Sequence, residues 1–331
     1  VQSFEKSVEL YTMAAEQGYV NAMYNLGCMY RDGKGDVQSF EKSVELFTMA
    51  AAKGNASAMI DLALLYEDGK GVVQSFEKSV ELYTMAVEQG DVKAMFNLGL
   101  MYDEGKGVVQ SFKKASELFT MAAEKGQVEA MYNLANMYRD GQGVAQSFKK
   151  TAELYTMAAE QGFVLAMSNL GVMYENGQGV LQSFKKAAEL YTMAADQGNV
   201  GAMYNLGCMY RNGKGVVQSF EKAVKLYTMA AEKGQPNAMS SLGVMYYQGQ
   251  GVDQSNELAL EWWTKAANIG HEGAIKNLKI LDKNEGKPTT TPPSPTASPP
   301  LPSIFCSSCN KPQPSGHTFQ TCKGCRTVQY C

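Results

Sequence analysis

The sequence predicts an all-α fold: an α/α superhelical solenoid of about eight 36-residue helix-turn-helix repeats, then a proline-rich linker and a small C-terminal cysteine-rich module. Three observations carry this reading. One pattern, seen clearly from Gln74 to Val109, begins again at Gln2, Gln38, Gln110, Gln146, Gln182, Gln218 and Gln254, always 36 residues apart. A fixed period in this range marks a stacked repeat array. Apolar residues recur within each copy at helical spacing. Beyond Lys283 the pattern gives way to prolines and then to crowded cysteines.

Each unit reads as two helices. Ser75 precedes the stripe Phe76, Val80, Tyr83, Ala86 and Val87, and its hydroxyl suits an N-cap, accepting from a first-turn amide that has no helical carbonyl to use. Gly90 follows where a left-handed C-terminal cap favours glycine. The second stripe is Ala94, Met95, Leu98, Met101 and Tyr102, stopped by Gly105-Lys106-Gly107. No strand precedes these Gly-Lys-Gly segments, so they read as connectors and not phosphate loops. Helices of about a dozen residues are unstable alone in water, so each must pack on its partner and on the next pair.

The copies agree best at small residues. Ala22, Ala58, Ala94, Ala130, Ala166, Ala202, Ala238 and Ala274 form one row. Five residues further on stands Gly27, Ala63, Gly99, Ala135, Gly171, Gly207 or Gly243. Glycine inside a helix costs about 0.5–1 kcal/mol relative to alanine, so its recurrence predicts close approach of a neighbouring helix. The pattern Ala-x-x-x-Leu-Gly-x-x-Tyr-x-x-Gly-x-Gly-Val, then a helix ending Ala-Ala-x-x-Gly, resembles the Sel-1-like repeat family, a relative of the tetratricopeptide repeats. Leu206, Gly207, Tyr210, Gly213, Gly215 and Val216 carry the resemblance, with Trp262, Ala266, Ala267 and Gly270. It implies a superhelix of helix pairs over residues 1–283. The family often has aspartate before the second helix where Ser39, Ser75 and their equivalents stand here, and serine caps a helix about as well.

The final copy departs from the rest: Lys279 takes the glycine position, Asp282 the tyrosine position, and Asn256 replaces a recurrent phenylalanine. A polar face is expected of a terminal repeat, so the array is expected to end near Lys283. The first copy has no such face, Val1 aligns with the last residue of a repeat, and Cys331 lies inside a cysteine motif. The chain therefore reads as a fragment cut at both ends, with further repeats expected upstream. Residues 284–303, NEGKPTTTPPSPTASPPLPS, read as a semi-rigid tether.

Formal net charge is −3, so no global basic field draws the chain to nucleic acid, and no apolar run approaches the roughly 18 residues needed to span a bilayer. Cys28 and Cys208 share one repeat position, occupied elsewhere by Leu64, Leu100, Asn136, Val172 and Val244, which suits reduced thiols and an intracellular, cytoplasmic or nuclear, compartment. The sequon Asn55-Ala56-Ser57 points the other way.

Residues 304–331 hold Cys306-x2-Cys309 and Cys322-x2-Cys325, followed by Cys331. Paired Cys-x2-Cys knuckles place two thiolates on one metal, as tetrahedral zinc requires; a disulfide framework is the alternative. The segment Cys322-Lys-Gly-Cys325-Arg-Thr-Val-Gln-Tyr330-Cys331 resembles the start of a MYND zinc finger. That resemblance implies structural Zn2+ in two cross-braced sites, Cys306, Cys309 and Cys331 serving one and Cys322 and Cys325 the other, each short of ligands where the sequence stops. A single site using Cys306, Cys309, Cys322 and Cys325 is the other arrangement. His317 reads as a loop residue.

Within the array, Asn25, Asp61, Asn97, Asn133, Asn169, Asn205, Ser241 and Asn277 form a polar row. Asparagine can donate to and accept from a bound backbone at once, so the row is a candidate partner-binding ladder, set against bonding to the adjacent helix or loop. Beside it Tyr24, Ile60, Phe96, Tyr132, Ser168, Tyr204 and Ser240 vary in chemistry, as positions that select a partner do. Arg31, Glu67, Asp103, Arg139, Glu175 and Arg211 vary in charge and read as a solvated rim. The repeated methionines, Met49, Met85 and Met101 among them, read as core. Lys113, Lys114, Lys149, Lys150, Lys185 and Lys186 read as an outer solvated face.

Nowhere do a nucleophile, a base and an oxyanion donor fall together. The expected function is a non-enzymatic adaptor whose repeats bind a protein segment and whose zinc module engages a second partner, which the MYND resemblance implies is proline-rich. The alternative is a docking arm of a larger enzyme, a methyltransferase or ubiquitin-ligase component. Nucleic acid and membrane are not expected partners.

Overall fold

The computed structural model describes residues 2–34 and 38–285. Among the described residues there are sixteen α-helices and no strand. In order they are α1 Gln2–Glu16, α2 Val20–Asp32, α3 Phe40–Ala52, α4 Ala56–Asp68, α5 Phe76–Glu88, α6 Val92–Glu104, α7 Phe112–Glu124 and α8 Val128–Asp140. There follow α9 Phe148–Glu160, α10 Val164–Asn176, α11 Phe184–Asp196, α12 Val200–Asn212, α13 Phe220–Glu232, α14 Pro236–Gln248, α15 Asn256–Asn268 and α16 Glu272–Glu285. Every helix from α2 to α15 has 13 residues, the near-identity that a strict period demands. The helical-repeat solenoid class is therefore as the sequence predicts.

The helices group into two units. The first runs to Ala166 and includes Gln178–Val180; the second holds Met167–Gly177 and the described residues from Leu181 on. Inside each unit a helix packs against the ones before and after it, from α1 through α9 in the first and from α11 through α16 in the second. Contacts so local in sequence are those of a repeat array.

Local chemistry fixes the ends of each helix. The odd-numbered helices from α3 onward start at Ser39, Ser75, Ser111, Ser147, Ser183, Ser219 and Ser255, whose side chains accept from the amide three residues on. Removing such a cap costs about 1 kcal/mol. The glutamine that opens each period has a matching task. Gln74 Nε2 donates to the Glu67 carbonyl and Gln110 Nε2 to that of Asp103, occupying last-turn carbonyls that have no helical partner. Asn55, the sequon residue, is itself a cap, accepting from the Ala58 amide at 2.8 Å.

The glycine row behaves as its recurrence predicts. A Cβ added at Gly99 would lie 2.6 Å from the Phe119 ring, and one at Gly207 2.7 Å from the Tyr227 ring. The absent side chain is what lets the next odd-numbered helix seat its aromatic residue. Alanine is accommodated at the same place in two copies, where Ala63 and Ala135 are fully buried. In the connecting turns Gly107 has φ +66°, and a Cβ there would strike the Phe76 backbone, so both conformation and space require glycine. Gly90 also has positive φ, +81°.

The core follows the predicted stripes, with Tyr83, Ala86, Ala94, Met95, Leu98 and Met101 buried in one unit repeat. The methionines divide, which corrects their reading as core. Met101 is 3% exposed, whereas Met49 and Met85 are 42% and 44% exposed on the odd-numbered helices. The position sits one residue off the stripe that faces the neighbours, and the unbranched thioether tolerates water. The lysines are exposed as expected, and half of them also have a partner. Lys114, Lys150 and Lys186 lie 4.7, 4.7 and 5.0 Å from the ring centroids of Tyr102, Tyr138 and Tyr174. Such exposed cation–π contacts are worth about 0.5–1 kcal/mol. Lys279 is exposed on α16.

Candidate interaction surface

The even-numbered helices carry the candidate residues and the odd-numbered helices decide their surroundings. The row beside the asparagines stands three residues before the small-residue row, on the same helix face, so Tyr24, Phe96, Tyr132 and Tyr204 lie over the aromatic ring that the small residue admits. Tyr24 stacks on Phe47 with centroids 5.7 Å apart, Phe96 on Phe119 at 5.8 Å, Tyr132 on Tyr155 at 5.7 Å and Tyr204 on Tyr227 at 5.7 Å. Tyr24, Phe96 and Tyr132 are half-buried, while Tyr204 is buried. Burial pushes the Tyr24 hydroxyl above its ordinary range, and Asp61 adds to this.

The charged row is not a solvated rim, and this expectation is corrected. Arg31, Glu67, Asp103, Arg139, Glu175 and Arg211 are all half-buried. Each lies sixteen residues before an odd-helix aromatic, and at Tyr83, Tyr155 and Tyr191 the hydroxyl reaches the charge, whereas the Tyr227 hydroxyl donates to Cys208 Sγ at 3.3 Å. Tyr83 donates to Glu67 Oε1 at 2.6 Å, joined by the Ser79 hydroxyl at 3.0 Å. Arg139 Nη1 donates to Tyr155 Oη at 3.3 Å, and Tyr191 donates to Glu175 Oε2 at 3.0 Å. Where the aromatic is Phe47, the charge finds carboxylates instead: Arg31 pairs with Asp61 of the asparagine row at 2.9 Å and with Asp32 at 2.9 Å.

Electrostatics follow from this enclosure. Burial raises the Tyr83 hydroxyl, with Glu67 adding to the effect and Asn97 opposing it by hydrogen bonding. Burial likewise raises the carboxyls of Asp103 and Glu175, the latter partly offset by Tyr191 and Lys214. The Arg139 guanidinium is held more firmly protonated, first by its hydrogen bond to Asp140. Burial raises both free thiols, Cys28 and Cys208, which leaves them poor nucleophiles at neutral pH.

The asparagine row is thus uneven. Asp61 is paired with Arg31, and Asn97 bonds the Tyr83 hydroxyl. Asn25, Asn133 and Asn169 are half-buried. Asn205 is 6% exposed and its Nδ2 has no partner among the described residues. In the first unit, a cleft of about 320 Å³ is lined by Arg31, Asp32, Asp61, Asp68, Lys70 and Phe40 among others. The pairing of a charge with the ring sixteen residues later escaped the sequence reading. The signal was present as a second recurrence, Glu67 to Tyr83, Arg139 to Tyr155 and Glu175 to Tyr191.

Cys306, Cys309, Cys322, Cys325, Cys331 and His317 lie outside the described residues. Among the described residues no cluster of three or more His, Cys, Asp or Glu side chains is placed to hold a metal ion, and no helix is long and apolar enough to cross a membrane.

The Sel1 repeat model matches the chain in consecutive segments, residues 1–19, 20–55, 56–91, 92–127, 128–163, 164–199, 200–235 and 236–271. Among solved structures, the chain is similar to c5321, a protective antigen present in uropathogenic Escherichia coli strains displaying an SLR fold. Identity is 33% and the TM-score 0.81, over 83% of this chain and 59% of that one. It is also similar to a Sel1 repeat protein from Oxalobacter formigenes, at 32% identity and TM-score 0.69, over 83% of this chain and 80% of that one. The chain thus spans little more than half the length of the antigen. No curated protein matches the chain.

Proposed function

The chain belongs to the Sel1 repeat family, and we propose that it acts as a non-catalytic protein–protein interaction scaffold, holding segments of other proteins against the faces that carry its asparagine and charged rows. The observation that carries this reading is a division between positions. The residues that pack are nearly the same in every copy, whereas the charged positions, half-buried in each described copy, and the aromatic positions, half-buried at Tyr24, Phe96 and Tyr132 and buried at Ile60, Ser168, Tyr204 and Ser240, vary between copies. A stack needs only the first set. A row that is enclosed enough to strengthen its electrostatics, open enough in the charged positions to be touched, and variable between repeats has the properties of a recognition surface.

The C-terminal cysteines add a second element to the proposal. Cys306, Cys309, Cys322, Cys325 and Cys331 would hold structural zinc in a MYND-type module that engages another partner, joined to the repeats by the tether of residues 284–303. A reducing, intracellular setting suits the free thiols of Cys28 and Cys208. Metal analysis of the whole chain should find zinc that is lost when Cys306 or Cys322 becomes serine.

The scaffold reading is tested by partner capture with the wild type and with Asn97, Asn133 and Asn169 all changed to alanine. Loss of partners with helical content intact is expected. Unchanged partners on an unchanged fold would reduce the row to framework.

A further inference from the structure

We infer that Asp103 and Asn133, on either side of Phe119 in the first unit, form a subsite for a cationic side chain, arginine ahead of lysine, of a bound protein segment. The inference rests on the scaffold reading and names the chemistry of one of its contacts.

Three copies of the same pair of positions carry the argument. In the first, Arg31 on α2 and Asp61 on α4 form an ion pair at 2.9 Å, with Phe47 as the intervening aromatic. There the chain fills the place with a guanidinium of its own. In the second, Glu67 on α4 accepts from the Tyr83 and Ser79 hydroxyls, so the carboxylate is satisfied from within. In the third, Asp103 on α6 and Asn133 on α8 have neither device. The intervening aromatic is Phe119, which has no hydroxyl to donate. Among the described residues neither side chain has a hydrogen bond or ion pair.

A half-buried carboxylate without a cation or donor is unfavourable, because part of its hydration is gone and nothing replaces it. Burial accordingly raises the Asp103 carboxyl. Both Asp103 and Asn133 remain in contact with solvent, unlike Asn205. A guanidinium entering here would meet the Asp103 carboxylate, the Asn133 amide oxygen and the half-buried Phe96 ring, which rests on the enclosed Phe119. Charge, a second acceptor and one aromatic ring together suit the planar guanidinium better than a compact ammonium.

The test uses the whole chain and a short acetylated, amidated peptide carrying one arginine among glycines and alanines, with lysine and glutamate counterparts. Carboxyl-carbon NMR follows the titration of Asp103, and fluorescence anisotropy gives affinities for the wild type, Asp103→Asn and Glu88→Gln, an exposed carboxylate at the end of α5. The arginine peptide should lower the Asp103 midpoint, and the glutamate peptide should not. Asp103→Asn should weaken arginine-peptide binding about tenfold, the size of one charge-assisted hydrogen bond, while Glu88→Gln leaves it unchanged. The lysine peptide should bind more weakly than the arginine one. An unmoved midpoint, or equal binding by Asp103→Asn and the wild type, overturns the subsite. If that happens while the triple asparagine variant still loses its partners, the subsite alone fails and the scaffold stands.

Discussion

Glu67 and Asp103 occupy the same place on α4 and α6, one repeat apart, and both are half-buried carboxylates. Around Glu67 the chain supplies Tyr83 and Ser79 as donors; around Asp103 it supplies Phe119 and Ala115, which have none to give. The backbone path, the serine cap, the glutamine on the last-turn carbonyl and the ring over the small residue are common to both copies. The comparison teaches that building the stack and choosing what it binds are assigned to different positions. Two hydroxyls present around one carboxylate and missing around the other change a satisfied site into an open one without disturbing the fold.

The largest effect is expected where the two copies are alike. Gly71 and Gly107 have φ of +72° and +66°, and each faces the backbone at the start of its own odd-numbered helix. Alanine at either should cost roughly 2–4 kcal/mol, strain and overlap together. Hydrogen exchange should show the loss spread over the adjoining helices and similar for both variants. A large difference between the two would mean that the copies are not equivalent in packing.

Next in size is the exchange of rings. Tyr83→Phe removes a donor from Glu67 and should destabilise by about 1–3 kcal/mol. Phe119→Tyr offers Asp103 a donor and should be neutral or stabilising by up to about 1 kcal/mol. Opposite signs in thermal melts are the expected outcome; losses of the same size would show that only ring packing matters.

Much of this was legible in the sequence and some was not. The 36-residue period, the serine caps and the close approach at Gly99 follow from residue type and spacing alone, because each reports a local requirement. Two features depend on how one helix is rotated against the next, which no single helix encodes. One is the exposure of Met49 and Met85, apolar residues that stand one position off the stripe holding the buried Ala50 and Ala86. The other is the enclosure of the charged row. Glu67 looks like a surface residue at the end of α4 until the ring sixteen residues later is brought over it. Of the candidate partner residues, Asn133 and Phe96 are half-buried, whereas Tyr204 and Asn205 in the second unit are buried. Polarity and recurrence alone could not separate these two cases.

The smallest expected effect is distinguished by its sign. The Asp103 carboxyl titrates higher in the folded chain than unfolded, so the folded state binds more protons through that range, and its ionised form is disfavoured by folding. Stability from this group is therefore gained as pH falls and lost as pH rises through the raised range. Asp103→Asn should accordingly be slightly more stable than the wild type at neutral pH and indistinguishable from it below the ordinary carboxylate range. Melts across the acid range, compared with Glu88→Gln at an exposed site, would detect this. A variant less stable than the wild type at neutral pH would mean that Asp103 has a partner within the fold.

The account's central claim is that packing positions build the stack and the variable row determines what is bound. It is tested most directly by measuring arginine-peptide affinity in a variant that carries Tyr83→Phe, Ser79→Ala and Phe119→Tyr together, since both hydroxyls donate to Glu67. Closing the site at Asp103 and opening the one at Glu67 should move binding from the first to the second. In this background Glu67→Gln should weaken the peptide and Asp103→Asn should not. Affinity that stays dependent on Asp103 after the exchange would contradict the claim.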